Sequence, residues 1–220
     1  MILDAYYYLR TVQEEVIMGY GLCTDEAYDY KKNNQSDYIS LNEGTWDATS
    51  ATINDIWSNC YSMINRCNNA LDKIDKVSES NRKQFEGEAC FFRAYAYFTL
   101  VRLYGPVPLT QHVISNYNEL YSYNRSPKED IYALIKEDLA KATANLPQSY
   151  KEASKAGRAT SIAAKVMLAD VYMTLKDFNS AKTQLKEVID YANQNPDNLG
   201  LLDDYASIYD SENPVNKEII

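Results

Sequence analysis

The sequence predicts an all-α protein built of tetratricopeptide-like helix pairs that form an α–α superhelix, with long loops between some of the helices. Three observations predict it. Apolar residues recur at spacings of three and four along most of the 220-residue chain. Glycine and proline, seven and six in number, are too few for a fibrous or disordered chain, and several stand where a periodic run stops. One segment near the C-terminal end carries the residue spacing of a tetratricopeptide unit.

The first twenty residues read as an amphipathic helix ending near Gly19 and Gly21. From Gly21 to about Thr52 the period disappears, and Asn, Asp, Ser, Gly and aromatics alternate irregularly. A loop of about thirty residues in a compact domain is long enough to suspect a function. Helical order returns over Ile53 to Ile74, where Trp57, Tyr61, Ile64, Asn68, Leu71 and Ile74 share one stripe. Asn68 on that stripe requires a hydrogen-bond partner if it is buried.

A polar link, Lys76 to Arg82, leads into a helix from Phe85 that is dense in aromatics on nearly every side. Phe85, Ala89, Phe92, Ala96, Leu100 and Leu103 trace one face, and Phe91, Tyr95 and Phe98 a second, so this helix is expected to be buried on two sides. Ala89, Ala94 and Ala96 let neighbours approach, and Gly105-Pro106-Val107-Pro108 ends the helix in an extended exit. Two antiparallel helices joined by a short link are the natural result. A second aperiodic loop, Thr110 to Arg125, contains Tyr117, Tyr121 and Tyr123.

Ser126-Pro127-Lys128-Glu129 reads as a capping box, with Pro at the first helical position, opening a helix through Ile131, Leu134, Ile135 and Leu139 to Leu146-Pro147. Gly157-Arg158-Ala159-Thr160 opens another to about Leu175, and Asp177-Phe178 one more to about Tyr191. In this last pair Leu168, Ala169 and Tyr172, then Phe178, Ala181 and Leu185, fall at tetratricopeptide spacings. Earlier pairs match less well, which predicts a divergent array.

Composition narrows the function classes. The formal net charge is −9, and the first fifty residues are its most acidic part. No basic stripe exists for phosphates, which argues against nucleic acid as a partner. The four cysteines form no CxxC pair, and Cys60 and Cys67 stand about 10 Å apart along one helix, too far for a disulfide. Buried free thiols are expected, and with His112 as the single histidine no zinc set can be assembled. No run of about 18 apolar residues is present, and the opening MILDAYYYLR is not a signal peptide.

Catalytic signals are absent, and no enzyme activity and no cofactor are expected. His112 lies in a loop without a nucleophile motif, and Glu14 with Glu15, and Glu137 with Asp138, read as solvated helix faces. Arg93 and Arg102, inside the aromatic helix, are expected to pair with carboxylates of an adjacent helix. For binding, the Gly21 to Thr52 loop is the best candidate. Sugar rings need a flat aromatic platform flanked by short hydrogen-bonding side chains, and Trp46 with Asp47 and Asn42, and Tyr28 and Tyr30 near Asp25 and Glu26, supply those types. Trp46 reads equally as a lid over the helix core.

The segment EACFFRAYAYFTLVRLYGPVPL, Glu88 to Leu109, resembles the signature of the SusD/RagB family, the surface nutrient-binding lipoproteins of Bacteroidetes. Trp57 and Tyr61 leading to Asn68-Asn69-Ala70-Leu71, the Glu137-Asp138-Leu139 centre of the Pro127 to Pro147 block, and GRATSIAAKVMLADVY from Gly157 agree with it in order, as does the loop containing Asp25. The resemblance implies an outer-membrane-anchored protein that captures oligosaccharide for a SusC-like TonB-dependent transporter, with RagB-like members taking peptides instead. A generic tetratricopeptide scaffold for protein partners is the third reading. The resemblance places ligand contacts on loops of the Gly21 to Thr52 region. There Asp25 stands at the position of a recurrent family acid, which is either a ligand contact or a loop-holding acceptor. Family members begin with a signal peptide and a lipidated cysteine, which are not visible here, and continue into a loop-rich second half. Residues 1–220 are therefore expected to be a single SusD-like helical domain, an N-terminal portion of a longer protein.

Overall fold

The structure, a computed structural model, describes residues 2–25, 27–28, 36–114, 116–152, 155–209 and 216–218. It is all-α. The helices are α1 (Ile2–Leu22), α2 (Ser36–Glu43), α3 (Ala51–Leu71), α4 (Glu79–Tyr104), the single turn α5 (Tyr117–Leu120), α6 (Lys128–Asn145), α7 (Ser161–Thr174) and α8 (Phe178–Gln194), with 3-10 turns at Ile74–Lys76 and Tyr205–Tyr209. Among the described residues the only β pairing is an isolated antiparallel bridge between Pro108 and Arg125.

The aromatic helix α4 is the hub, packed against α1, α3 and α6. Ala89, Phe92, Ala94, Ala96, Tyr97 and Leu100 have no exposed surface, as a helix apolar on most sides requires. Helix α4 lies tight against the end of α6 at Gly87, where a Cβ would lie 2.8 Å from Leu146 Cγ. The chain turns out of α4 at Gly105, whose φ of 72° and ψ of −135° suit glycine alone. A bidentate pair then ties α4 to the segment before α7: Arg158 donates two 2.7 Å bonds to the buried carboxylate of Glu88. Pairs α6–α7 and α7–α8 extend the stack, and Ile162, Val188, Tyr191 and Leu199 form a small second core there.

Several expectations are corrected. Helix α1 continues through Gly19, which faces Thr52 and Ile56 of α3, to Leu22. The Gly21 to Thr52 stretch is not loop throughout, since α2 lies inside it with Leu41 buried; eight residues are too few to display a period. Helix α4 starts at Glu79, two polar turns ahead of Phe85. Ser126 caps nothing: Pro127 holds the cap position without a side-chain bond, and the Ser126 N–H goes to the Val107 carbonyl at 3.0 Å. Leu103 is 36% and Phe178 65% exposed, so neither fills its expected core position. Cys23 is exposed, unlike the other three thiols. Asp138 is not solvated but fully buried.

Candidate functional site

A groove of about 550 Å³ opens between α3 and the segment that follows the α4 exit. On α3, Trp57 and Tyr61 are one helical turn apart, and Ser58, Ser62 and Asn65 run beside them at spacings of four and three. Pro108, Thr110, Ile114, Asn116 and Tyr123 face them. The aromatic surface is held rigidly. Tyr61 donates its hydroxyl proton to the Pro108 carbonyl at 2.7 Å, and its ring centroid lies 5.0 Å from that of Trp57. Tyr104 meets Trp57 edge-on at 5.1 Å and donates to the Ile53 carbonyl at 2.6 Å. Arg125 lies 6.0 Å from the Trp57 ring centre and donates to the carbonyls of Pro106 (2.7 Å) and Tyr104 (3.2 Å). Among the described residues, Ser58, Ser62 and Asn65 make no side-chain hydrogen bond and can offer their polar groups to a ligand.

The facing wall is fixed from the core. Asn68, the polar residue on the apolar stripe of α3, donates to the carbonyls of both Thr110 and His112 at 3.1 Å. Its own carbonyl accepts from Arg93 at 2.9 Å, and Arg93 also reaches the Gln111 carbonyl at 3.3 Å. Behind them, Arg93 makes two 2.8 Å bonds to Asp138 of α6, the carboxylate expected on an adjacent helix. Burial alone would lower the Arg93 pKa, but hydrogen bonding to Asp138 outweighs it and keeps the guanidinium charged. The Tyr97 hydroxyl accepts from the Thr110 N–H at 2.7 Å and donates to the Thr110 carbonyl at 2.9 Å. Asp72, at the end of α3, binds the His112 ring (2.9 Å) and the Val113 N–H (3.0 Å). Burial pushes the Asp72 carboxyl up, but these bonds outweigh it and hold it below the usual carboxylate range. Arg102 pairs with Asp170 of α7 at 3.8 Å and stacks on Phe98.

The loop residues picked out from the sequence lie on another part of the chain. Asn42, in α2, donates to the Leu22 carbonyl at 2.9 Å and to the Ala27 carbonyl at 3.5 Å, which brings it against the segment 22–28. Trp46 is 44% exposed on the turn after α2, with its ring over Gly44. Asp47 accepts from the Thr49 N–H (2.8 Å) and hydroxyl (2.6 Å), bonds that hold its pKa down and shape the turn into α3. Asp25 and Tyr28 are exposed, and Tyr30 and Glu26 lie outside the described residues. The groove itself was not singled out from the sequence, because Trp57 and Tyr61 also sit on the apolar stripe of α3. The available signal was the row Ser58, Ser62, Asn65 at helical spacing beside them.

The fold and groove define a helix-pair scaffold of tetratricopeptide type with an aromatic groove on one flank. The sequence profile of the SusD-like family, described as starch-binding and associating with the outer membrane, matches residues 3–173, and the chain belongs to that family. A SusD-like protein of Bacteroides ovatus is 32% identical over 185 residues, covering 78% of this chain and 32% of that protein. Among solved structures, a SusD-like protein from Bacteroides fragilis superposes with a TM-score of 0.79 at 28% identity, over 98% of this chain and 43% of its own. A further solved structure, a crystal structure with xylogluco-oligosaccharide, superposes at 0.75 with 25% identity, over 94% of this chain and 41% of its own. The chain spans a third to two fifths of the length of the curated SusD-like relatives P2 and P25 of Formosa agariphila.

Proposed function

We propose that the protein captures oligosaccharide at the cell surface and passes it to a SusC-like TonB-dependent transporter of the outer membrane, by binding and without catalysis. The observation that carries this reading is the α3 groove: a rigid Trp57–Tyr61 surface edged by the uncommitted Ser58, Ser62 and Asn65. Such a site matches a sugar ring, whose C–H face packs on an aromatic plane while its hydroxyls meet short polar side chains. Among the described residues, the groove lining contains no carboxylate, thiol or imidazole able to act as acid, base or nucleophile. Membership of a family described as starch-binding, and a related structure holding a xylogluco-oligosaccharide, favour sugar over peptide. The exposed Trp46 favours a second stacking contact on the turn after α2, with Asp25, Tyr28, Asn42 and Asp47 as the polar and aromatic residues offered on the same stretch of chain.

Isothermal titration of the chain with xylogluco- and other gluco-oligosaccharides tests this. Saturable binding is expected. Trp57→Ala is expected to weaken it tenfold or more, about 1.4 kcal/mol, and Trp46→Ala to weaken it less. Binding of peptides but of no glycan would replace the reading with the RagB-like one.

A further inference from the structure

We infer that this groove selects neutral glycans and rejects uronate-bearing or sulfated ones. The inference rests on the glycan-capture reading and concerns the ligand class of that same groove. Among the described residues, every side chain lining it is aromatic, aliphatic, hydroxyl or amide, so none of these carries a charge at neutral pH. Burial pushes the Tyr61 phenol further from ionisation.

Arg125, Arg93 and the His112 ring border the groove, and neither they nor Arg66, next to Asn65 on α3, belong to its lining. Arg125 donates to two backbone carbonyls from its Nη1, with its guanidinium carbon 6.0 Å from the Trp57 ring centre. Arg93 is buried, and its donors go to Asp138, Asn68 and Gln111. His112 is held by Asp72. A carboxylate or sulfate entering the groove would shed water without meeting a cation in the lining, and an unpaired charge in such a place costs far more than a hydroxyl does. Neutral hydroxyls find what they need in Ser58, Ser62, Asn65 and Asn116. The net charge of −9 adds a long-range repulsion against polyanions, which salt screens, whereas the missing cation in the groove remains at any ionic strength.

The test is isothermal titration at pH 7 with a neutral gluco-oligosaccharide and an oligogalacturonate of equal length, at low and at 300 mM salt. The neutral ligand is expected to bind at least 100-fold more tightly, and the preference to persist at high salt. Ser62→Lys and, separately, Ser58→Lys place a cation in the groove. In variants whose circular dichroism matches the parent, each is expected to narrow the preference to under tenfold by raising uronate affinity. Uronate binding within tenfold of neutral binding at 300 mM salt overturns the inference and leaves glycan capture standing, as does a failure of both folded lysine variants to narrow the gap. If neither oligosaccharide binds, the glycan-capture reading falls and the selectivity falls with it.

Discussion

Replacing Asp138 by Ala removes one half of a fully desolvated ion pair. The Asp138 side chain has no exposed surface and that of Arg93 is 7% exposed, with two 2.8 Å bonds between them. The variant leaves Arg93 buried with only the Asn68 side-chain carbonyl and the Gln111 backbone carbonyl as acceptors. Breaking such a pair from one side costs about 3–5 kcal/mol, because a charge is left uncompensated. Set against a typical stability of about 5–15 kcal/mol, that leaves a marginal fold. For a domain of this size it lowers Tm by roughly 6–20 °C. Urea unfolding at pH 7, followed by far-UV circular dichroism, measures it as a fall in midpoint at constant slope. The double variant Arg93→Met/Asp138→Leu carries no uncompensated charge and is expected to recover most of the loss. A single-variant cost under about 1 kcal/mol, or a double variant worse than the single, refutes the reasoning.

Two further outcomes follow from the packing and the hydrogen bonds. Gly87→Ala should lower the urea midpoint, because its Cβ meets Leu146 at 2.8 Å and Asn145 at 3.1 Å; the overpacking cost of about 1–3 kcal/mol opposes the roughly 1 kcal/mol that alanine normally adds inside a helix, and a raised midpoint would show that α6 yields freely. At acid pH, Asp37 is the informative group. Burial pushes its carboxyl up, but the Ser50 and Thr52 hydroxyls and the Thr52 N–H outweigh that and hold it below 3.8. Its contribution is therefore complete above the unfolded-state value and is lost as the pH falls through the lower folded one. Asp37→Asn should flatten that acid limb in a pH series of thermal melts, and an unchanged limb would mean that the α2–α3 link carries no such coupling.

What could be read from the sequence divides along physical lines. Long helices with a stripe or an all-round apolar surface, α3, α4, α6 and α7, are legible because tertiary burial and local period agree in them. Helix α2 is not, since two turns offer a single repeat and its stability comes from Leu41 docking and the Asp37 bonds to Thr52. Asp138 was misread through its neighbour Glu137, which is exposed and bonded to Lys141. Its own register gave it away, for Ile131, Leu134, Ile135, Asp138, Leu139 and Ala142 form one buried face of α6. An acid on such a face needs a cation, and Arg93 was already expected to need an acid. The groove was hidden for a different reason. Periodicity shows which residues share a side of α3, but not that the segment after Pro108 leaves part of that side open.

The same interactions explain why a charged network sits in this core at all. The chain leaving α4 presents three successive carbonyls, at Thr110, Gln111 and His112, against the helices. Buried carbonyls must find donors, and an apolar core offers none. Asn68 supplies two, Arg93 one, and the Tyr97 hydroxyl serves both backbone polar groups of Thr110. Arg93 in turn requires Asp138, so the network draws Asn68 from α3, Arg93 and Tyr97 from α4 and Asp138 from α6. The wall of the groove is therefore set by the packing of three helices, so Thr110 faces Trp57 and Tyr61 in a fixed position before any ligand arrives. On the glycan-capture reading, a preformed wall lowers the ordering cost of binding a flexible oligosaccharide, and the charge buried at this site acts through the backbone it holds.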